Sequence, residues 1–247
     1  MKKNLFRTAL SLLLFGLMGQ QAQAQGIVIN KTDGTKVYYK ATDVESVGVY
    51  GYGEDPESDK PGNNGHEYVD LGLSVKWAAM NIGATSPEEY GSYFAWGEIA
   101  PKDTYSWATY KWCNNGDTKQ LTKYNTSSDY SYLAPDKKTE LELEDDAARA
   151  NWGGTWRMPT DTELTELREK CTWTWTSLNG KNGMKVTGPS GNSIFLPAAG
   201  YRDGTSLYGA GSYGDYWSSS LNESAPSDAW SVSFNSSGAN RYSNNRY

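Results

Sequence analysis

The sequence contains one histidine and two cysteines among its 247 residues. His66 stands alone beside a glycine-rich stretch, so no histidine-based dyad, triad or zinc site can be assembled within one chain. Positive charge is also short: 23 Lys and Arg face 29 Asp and Glu, for a formal charge of −6 and a pI near 4.9. That balance excludes the basic face a nucleic-acid partner requires. Lys is missing altogether from the stretch 203–247. Only 37% of residues are hydrophobic, yet there are 10 Trp and 18 Tyr. Aromatics must therefore supply much of the core, and many remain for the surface.

The one long apolar run lies at the N-terminus. Lys2, Lys3 and Arg7 precede an apolar stretch over 9–18, and Ala22-Gln23-Ala24 forms a small-residue cleavage site before Gln25. This pattern predicts an export signal over residues 1–24 and a secreted or cell-surface chain. The apolar run is too short to span a bilayer, so no transmembrane segment is expected after cleavage. No cysteine lies near the cleavage site, so a lipid anchor has no support. In an oxidising compartment Cys113 and Cys171 either form one disulfide or remain two separate thiols.

Residues 25–50 read as a small β-meander. Ile27-Val28-Ile29 and Val37-Tyr38-Tyr39 flank an Asp33-Gly34 turn signal, and a third alternating run covers 44–49. Residues 51–65 are rich in Gly, Pro, Asn and acid and form a linker. The main unit runs over 66–247. Tyr68-Val69-Asp70-Leu71 and Val75-Lys76-Trp77-Ala78 are short strand candidates, and residues 105–131 a long loop. A charged helix is expected somewhere within 136–151, beginning as late as Asp145. The clearest helix follows Pro159: Thr160 and Glu163 make a capping box, and Leu164, Leu167 and Cys171 share one face. Thr172 to Thr176 alternates Thr with Trp, and Ile194-Phe195-Leu196 reads as a buried strand. Short strands, two helices and long loops predict an α+β domain.

Beyond Asp203 the composition turns to Ser, Asn, Tyr and Asp. Tyr offers rigid amphipathic contact area and Ser, Asn and Gly adaptable hydrogen bonding, the alphabet of binding loops. Trp217, Trp230, Val232 and Phe234 interrupt it as framework residues expected to be buried. Catalysis has little support, because the carboxylates at Glu140, Glu142, Glu144, Asp145 and Asp146 form one charged run of the kind that usually faces solvent. No catalytic residue and no cofactor is therefore expected. Calcium is the candidate ion, through Asp145, Asp146 and Asn151; the competing assignment puts both acids in a first helical turn, where they complement the macrodipole.

At several points the chain resembles the Fibrobacter succinogenes major paralogous domain family. The resemblance rests on Tyr68-Val69-Asp70-Leu71-Gly72-Leu73, Tyr93-Phe94-Ala95-Trp96-Gly97-Glu98, and Trp152 through Thr160 (WGGTWRMPT). It continues with Phe195 through Arg202 (FLPAAGYR) and Tyr216-Trp217-Ser218-Ser219-Ser220, so it covers His66 onward. It implies a C-type-lectin-like fold, shared with formylglycine-generating enzymes and common in exported proteins of Bacteroidetes-type bacteria. The enzymatic activity does not carry over, because that chemistry needs a cysteine pair near the end of the domain and none follows Cys171. Calcium-dependent sugar binding lacks its Glu-Pro-Asn or Gln-Pro-Asp triplet. Similar proteins are the variable targets of diversity-generating retroelements, whose diversified C-terminal stretch has the Ser/Asn/Tyr bias seen here. Family members continue past the position of Tyr247 with a closing strand. The resemblance thus implies a sheet closed differently or a fragment, and a fragment would leave Tyr68 to Leu71 as an open edge.

The expected function is that of a non-enzymatic binding protein with a protein or glycan ligand on another cell or surface; the alternative is a structural adhesin or surface-assembly subunit. Its contact residues are expected in three loops. The first, over 203–215, offers Asp203, Ser206, Tyr208, Tyr213 and Asp215. The second, over 222–228, offers Asn222, Ser227 and Asp228. The third, over 236–245, offers Ser236, Asn240, Tyr242 and Asn244.

Overall fold

The computed structural model describes residues 26–30, 36–40, 64–131 and 133–247. The chain divides into two compact units, residues 1–53 and 54–247. In the first, β1 (Gly26–Asn30) and β2 (Lys36–Lys40) pair antiparallel, with Gly26 opposite Lys40 and Asn30 opposite Lys36. The Asp33-Gly34 turn, the third strand over 44–49, the signal over 1–24 and most of the linker lie outside the described residues.

The second unit is an α+β assembly of short helices and small antiparallel sheets. Helix α2 (Asp161–Lys170) forms where the capping box predicts it. The Thr160 hydroxyl accepts the Glu163 N–H at 3.2 Å, and the Glu163 carboxylate accepts the Thr160 N–H at 2.8 Å. Asp161 and Glu163 fill its first turn and Arg168 and Lys170 its last, matching the macrodipole at both ends. Leu164 and Leu167 are buried on one face. The chain then turns extended at Cys171 and enters β5 (Thr172–Leu178), where strict alternation sends Trp173 and Trp175 to the core side.

The first helix is much shorter than the charged run that suggested it. Helix α1 spans only Ala147–Trp152, after a single 3-10 turn at Leu143–Asp145. Upstream, the chain runs extended beside the later strand at Tyr213–Leu221 instead: Glu140 bridges Ser220, the Leu141 N–H donates to Ser219, and the Leu221 N–H to Thr139. A long-range ladder satisfies those backbone groups, so local helix propensity loses.

Strand β5 pairs with β6 (Lys181–Thr187), which pairs with β7 (Ser193–Pro197). A second sheet orders β10 (Tyr213–Leu221), β11 (Asp228–Asn235) and β12 (Gly238–Asn245). Both sheets and α2 meet in one core built from Leu71, Leu167, Met184, Val186, Val232 and Phe234. Each such side chain contributes about 1.5–3 kcal/mol when fully buried. Two smaller clusters hold the long irregular stretch, one around Tyr105, Tyr110 and Leu121 and one around Trp96, Tyr124 and Leu221.

Two short hairpins complete the unit. Strand β3 (Tyr68–Val69) pairs on one side with β4 (Trp77–Ala78) in a two-stranded sheet, so it remains an edge strand as expected, and Leu71 beyond it is fully buried. Strand β8 (Tyr201–Asp203) pairs with β9 (Ser206–Tyr208). Residues 238–245, expected as a binding loop, form strand β12 against β11 along its whole length. Cys113 and Cys171 are both free and pack in different clusters, so they remain two separate thiols. No helix among the described residues is long and apolar enough to cross a membrane.

Candidate binding groove

Strand alternation sorts the C-terminal sheet into two unlike faces. Tyr216, Val232, Phe234 and Ala239 pack on the main core. On the other face, Asp215, Ser233 and Asn240 form one row across the three strands, and Trp217, Ser231 and Tyr242 form the next. This face borders a groove of about 960 Å³. Its walls are aromatic, with Trp77, Tyr90, Tyr93, Trp152, Trp156 and Trp217 among the lining residues.

Several of the lining aromatics are pinned by their polar atoms, whereas the buried Trp77 Nε1 meets no acceptor among the described residues. Trp217 Nε1 donates to the Phe94 carbonyl at 3.1 Å, the Tyr93 hydroxyl to Ala199 at 2.7 Å, and the Tyr105 hydroxyl to Tyr93 at 2.7 Å. Burial raises the Tyr93 and Tyr105 hydroxyls above their ordinary value, so both stay neutral donors. Tyr216 donates to Pro197 at 2.9 Å and accepts from Asn81 at 3.0 Å. On the sheet, Asn244 Nδ2 donates to Ser231 Oγ at 3.0 Å.

Asp215 is the unusual group of the groove. The Ser233 hydroxyl donates to its carboxylate, and no ion pair among the described residues includes it. Burial alone pushes it up to about 6. The basic groups of the lining are engaged elsewhere. Arg157 forks onto Glu163 at 2.5 and 2.7 Å, Arg202 lies 5.2 Å from the Tyr93 ring centre, and Lys76 lies 4.5 Å from that of Tyr68.

Of the contact residues expected from sequence, Asp203, Tyr213, Asp215, Tyr242 and Asn244 line the groove. Asn240 shares their sheet face and is exposed. Ser206 and Tyr208 are exposed on the β8–β9 hairpin, where the Tyr208 ring stacks on Tyr201 at 5.5 Å. The segment 222–228 departs from expectation. Asn222 is buried and builds the turn itself, its N–H donating to Asp228 and its side chain accepting the Ser224 N–H. Ser227 Oγ turns to Asp228, and the Ser227 carbonyl accepts the Arg246 N–H. Ser236 is exposed at the β11–β12 turn, away from the groove lining.

Sequence reasoning missed Tyr201 and Arg202, although an alternating Tyr-Arg-Asp at the start of the polar stretch was a usable signal. It also expected Trp217 and Trp230 to be buried. Trp217 is half-buried on the groove face, and Trp230 is half-buried under the Arg241 guanidinium, 3.2 Å from its ring centre. Arg241 is itself held by Asp161 at 2.7 and 2.9 Å.

Glu142, Glu144 and Asp145 come close enough together to share an ion. Lys123 Nζ already stands among them, 2.5 Å from Glu142 and 2.5 Å from Asp145. Burial works to raise Asp145, but Lys123, Tyr124 and Lys111 outweigh it and hold the carboxyl below its ordinary value. Asp146 caps α1 through the Arg149 N–H at 2.9 Å and also accepts the Met158 N–H at 2.7 Å. The side-chain amide of Asn151 donates to Ile99 and Ala147. His66 stacks on Trp152 at 4.6 Å.

A family model described as a domain of unknown function, DUF8237, matches residues 170–247, from the last residue of α2 through β12. No curated protein and no solved structure matches the chain.

Proposed function

We propose that this chain is an exported, non-enzymatic binding protein that recognises a protein or glycan on another surface through its C-terminal sheet. One observation carries the reading. Tyr213, Asp215, Tyr242 and Asn244, chosen from composition alone, line one groove together with Trp217 and Ser231. Rigid aromatics beside Ser, Asn and Asp give shape complementarity with adaptable hydrogen bonding. The surface rests on strands rather than loops, which holds its contact groups in register. A lectin-like scaffold and diversification of the outward positions belong to the same proposal, supported by the motifs from Tyr68 to Ser220 and by the Ser/Asn/Tyr bias of the sheet.

The test uses the full exported chain on protein and glycan arrays. Tyr242→Ala and Asn244→Ala are expected to lose retention on whichever ligand the wild type holds, with unchanged melting temperature. Retention that survives both substitutions overturns the reading. For diversification, the expected finding is a near-copy of the coding sequence for 203–247 beside a reverse transcriptase gene. Its absence removes that part of the proposal.

A further inference from the structure

Two Tyr-x-Asp triplets stand side by side at one end of the groove. Tyr201-Arg202-Asp203 forms β8, and Tyr213-Gly214-Asp215 opens β10. A parallel bridge joins Gly200 to Gly214, and the Gly200 N–H donates to the Tyr213 carbonyl at 2.7 Å. In extended chain, residues i and i+2 share a face, so each triplet presents its Tyr and its Asp on one side. The bridge brings the two sets together: the Tyr201 and Tyr213 rings lie 5.8 Å apart, and all four residues line the groove. Arg202, the residue between, turns onto Tyr93 instead.

Three cations and three carboxylates share the lining, and at this end Arg202 lies against the Tyr93 ring. Six charged side chains line the groove: Lys76, Arg157, Glu163, Arg202, Asp203 and Asp215. Glu163 is neutralised by Arg157. Among the described residues neither Asp203 nor Asp215 has an ion-pair partner. Asp203 is exposed, but Asp215 is half-buried, where a carboxylate without a cation is costly, and ring faces beside it attract positive charge.

We propose that Tyr201, Tyr213, Asp203 and Asp215 form a subsite for an organic cation, an ammonium or guanidinium group carried by the ligand. This deepens the binding function proposed above and rests on it. The cation would pair with Asp215 and lie against the tyrosine faces, contacts that a neutral group of the same length does not make.

The experiment titrates the full exported chain at pH 8 with acetyl-lysine amide, acetyl-arginine amide, the neutral acetyl-norleucine amide and methyl glucosaminide. At least one cationic probe is expected to bind about tenfold or more tighter than norleucine. Asp215→Asn is expected to erase that preference, bringing the cationic and neutral probes to equal affinity. Preference for the amino-acid cations identifies a protein ligand, and preference for glucosaminide an amino-sugar polymer. Equal binding of the neutral probe, or a preference that survives Asp215→Asn, overturns the subsite. Tyr201→Leu, on the exposed hairpin, is a second variant and is expected to weaken the cationic probes selectively. If Tyr242→Ala abolishes array retention but no cation preference exists, the subsite alone fails. If the preference is present and array retention ignores Tyr242 and Asn244, the wider surface fails instead.

Discussion

The guanidinium of Arg246 donates from Nη1 to the carbonyl of Tyr124 at 2.9 Å, joining the end of β12 to the long irregular stretch between β4 and α1. Arg246 is fully buried, its own carbonyl accepts the Trp96 N–H at 2.7 Å, and its charge lies 5.5 and 5.4 Å from the Trp96 and Tyr110 ring centres. Tyr124 is a junction in turn. Its hydroxyl donates to Asp145 at 2.7 Å and accepts the Glu142 N–H at 3.0 Å, while its backbone N–H reaches Asp136 at 2.9 Å.

Removing the Arg246 side chain should therefore loosen a region that has little regular structure of its own. Arg246→Ala is expected to destabilise by about 2–4 kcal/mol, through lost volume and a stranded Tyr124 carbonyl. Arg246→Met should cost less. It fills similar space, and it removes the buried Nε and Nη2, which meet no acceptor among the described residues. Urea denaturation of the two variants checks the order. A Met variant as unstable as Ala would show that the charge, not the packing, matters.

How legible this was in sequence depends on where the information lay. Helix α2 was legible because its cap, its charge pattern and its apolar face all lie within one segment. Of the groove face, only the alternation of β11 was legible, since a period of two separates Val232 and Phe234 from Ser231 and Ser233 whatever the partner; β12 and the start of β10 read as loops because their Ser, Asn and Tyr lack an apolar period. The extended run at 136–142 was not, because its hydrogen bonds go to Ser219 and Leu221 on a strand far along the chain. Asn222 was misjudged because an exposed binding asparagine and a turn-building one look identical without the Asp228 carbonyl beside them. Arg246 carried no signal, because the aromatic pocket that receives it is assembled from Trp96, Tyr110 and Tyr124.

Asp215 should make stability depend on pH in a defined window. Its folded value is raised to about 6 from an ordinary 3.8, so between those values the folded chain holds more protons than the unfolded one. Stability from this group is full below about pH 4, falls as pH rises through 4 to 6, and is flat above about 7. Asp215→Asn should remove the fall and be the more stable protein at pH 7, by on the order of 3 kcal/mol. Thermal melts of both proteins from pH 4 to 8 measure the gap. A gap that stays constant, or that narrows with rising pH, contradicts the assignment.

The two thiols should be silent in redox experiments. Cys113 is buried and its sulfur donates to the Asp117 carbonyl at 3.1 Å, while Cys171 packs beside the main core. Burial raises both thiols above their ordinary value, which lowers their thiolate fraction and their reactivity. Without reductant, the unfolded chain is expected to titrate for two thiols, and dithiothreitol should leave the melting temperature unchanged. A mass two protons lighter, or a melt that drops in reductant, would reveal a bridge.

Tyr213 can line the groove only because the residue packed under its ring has no side chain. Gly209 has φ +66°, and a Cβ built there would lie 2.0 Å from the Tyr213 ring. Gly204, in the neighbouring hairpin, has φ +57° with nothing within 4 Å of the same position. Both substitutions to Ala incur backbone strain of about 1 kcal/mol, and only Gly209→Ala must also displace an aromatic ring. Gly204→Ala is thus expected to bind ligand like the wild type, with a small loss of stability. Gly209→Ala is expected to lose ligand retention beyond its loss of stability, because displaced Tyr213 no longer stands beside Tyr201 and Asp215. Measuring retention and melting temperature for the pair separates the two effects. Equal retention by both variants would show that the Tyr213 ring contributes nothing to recognition.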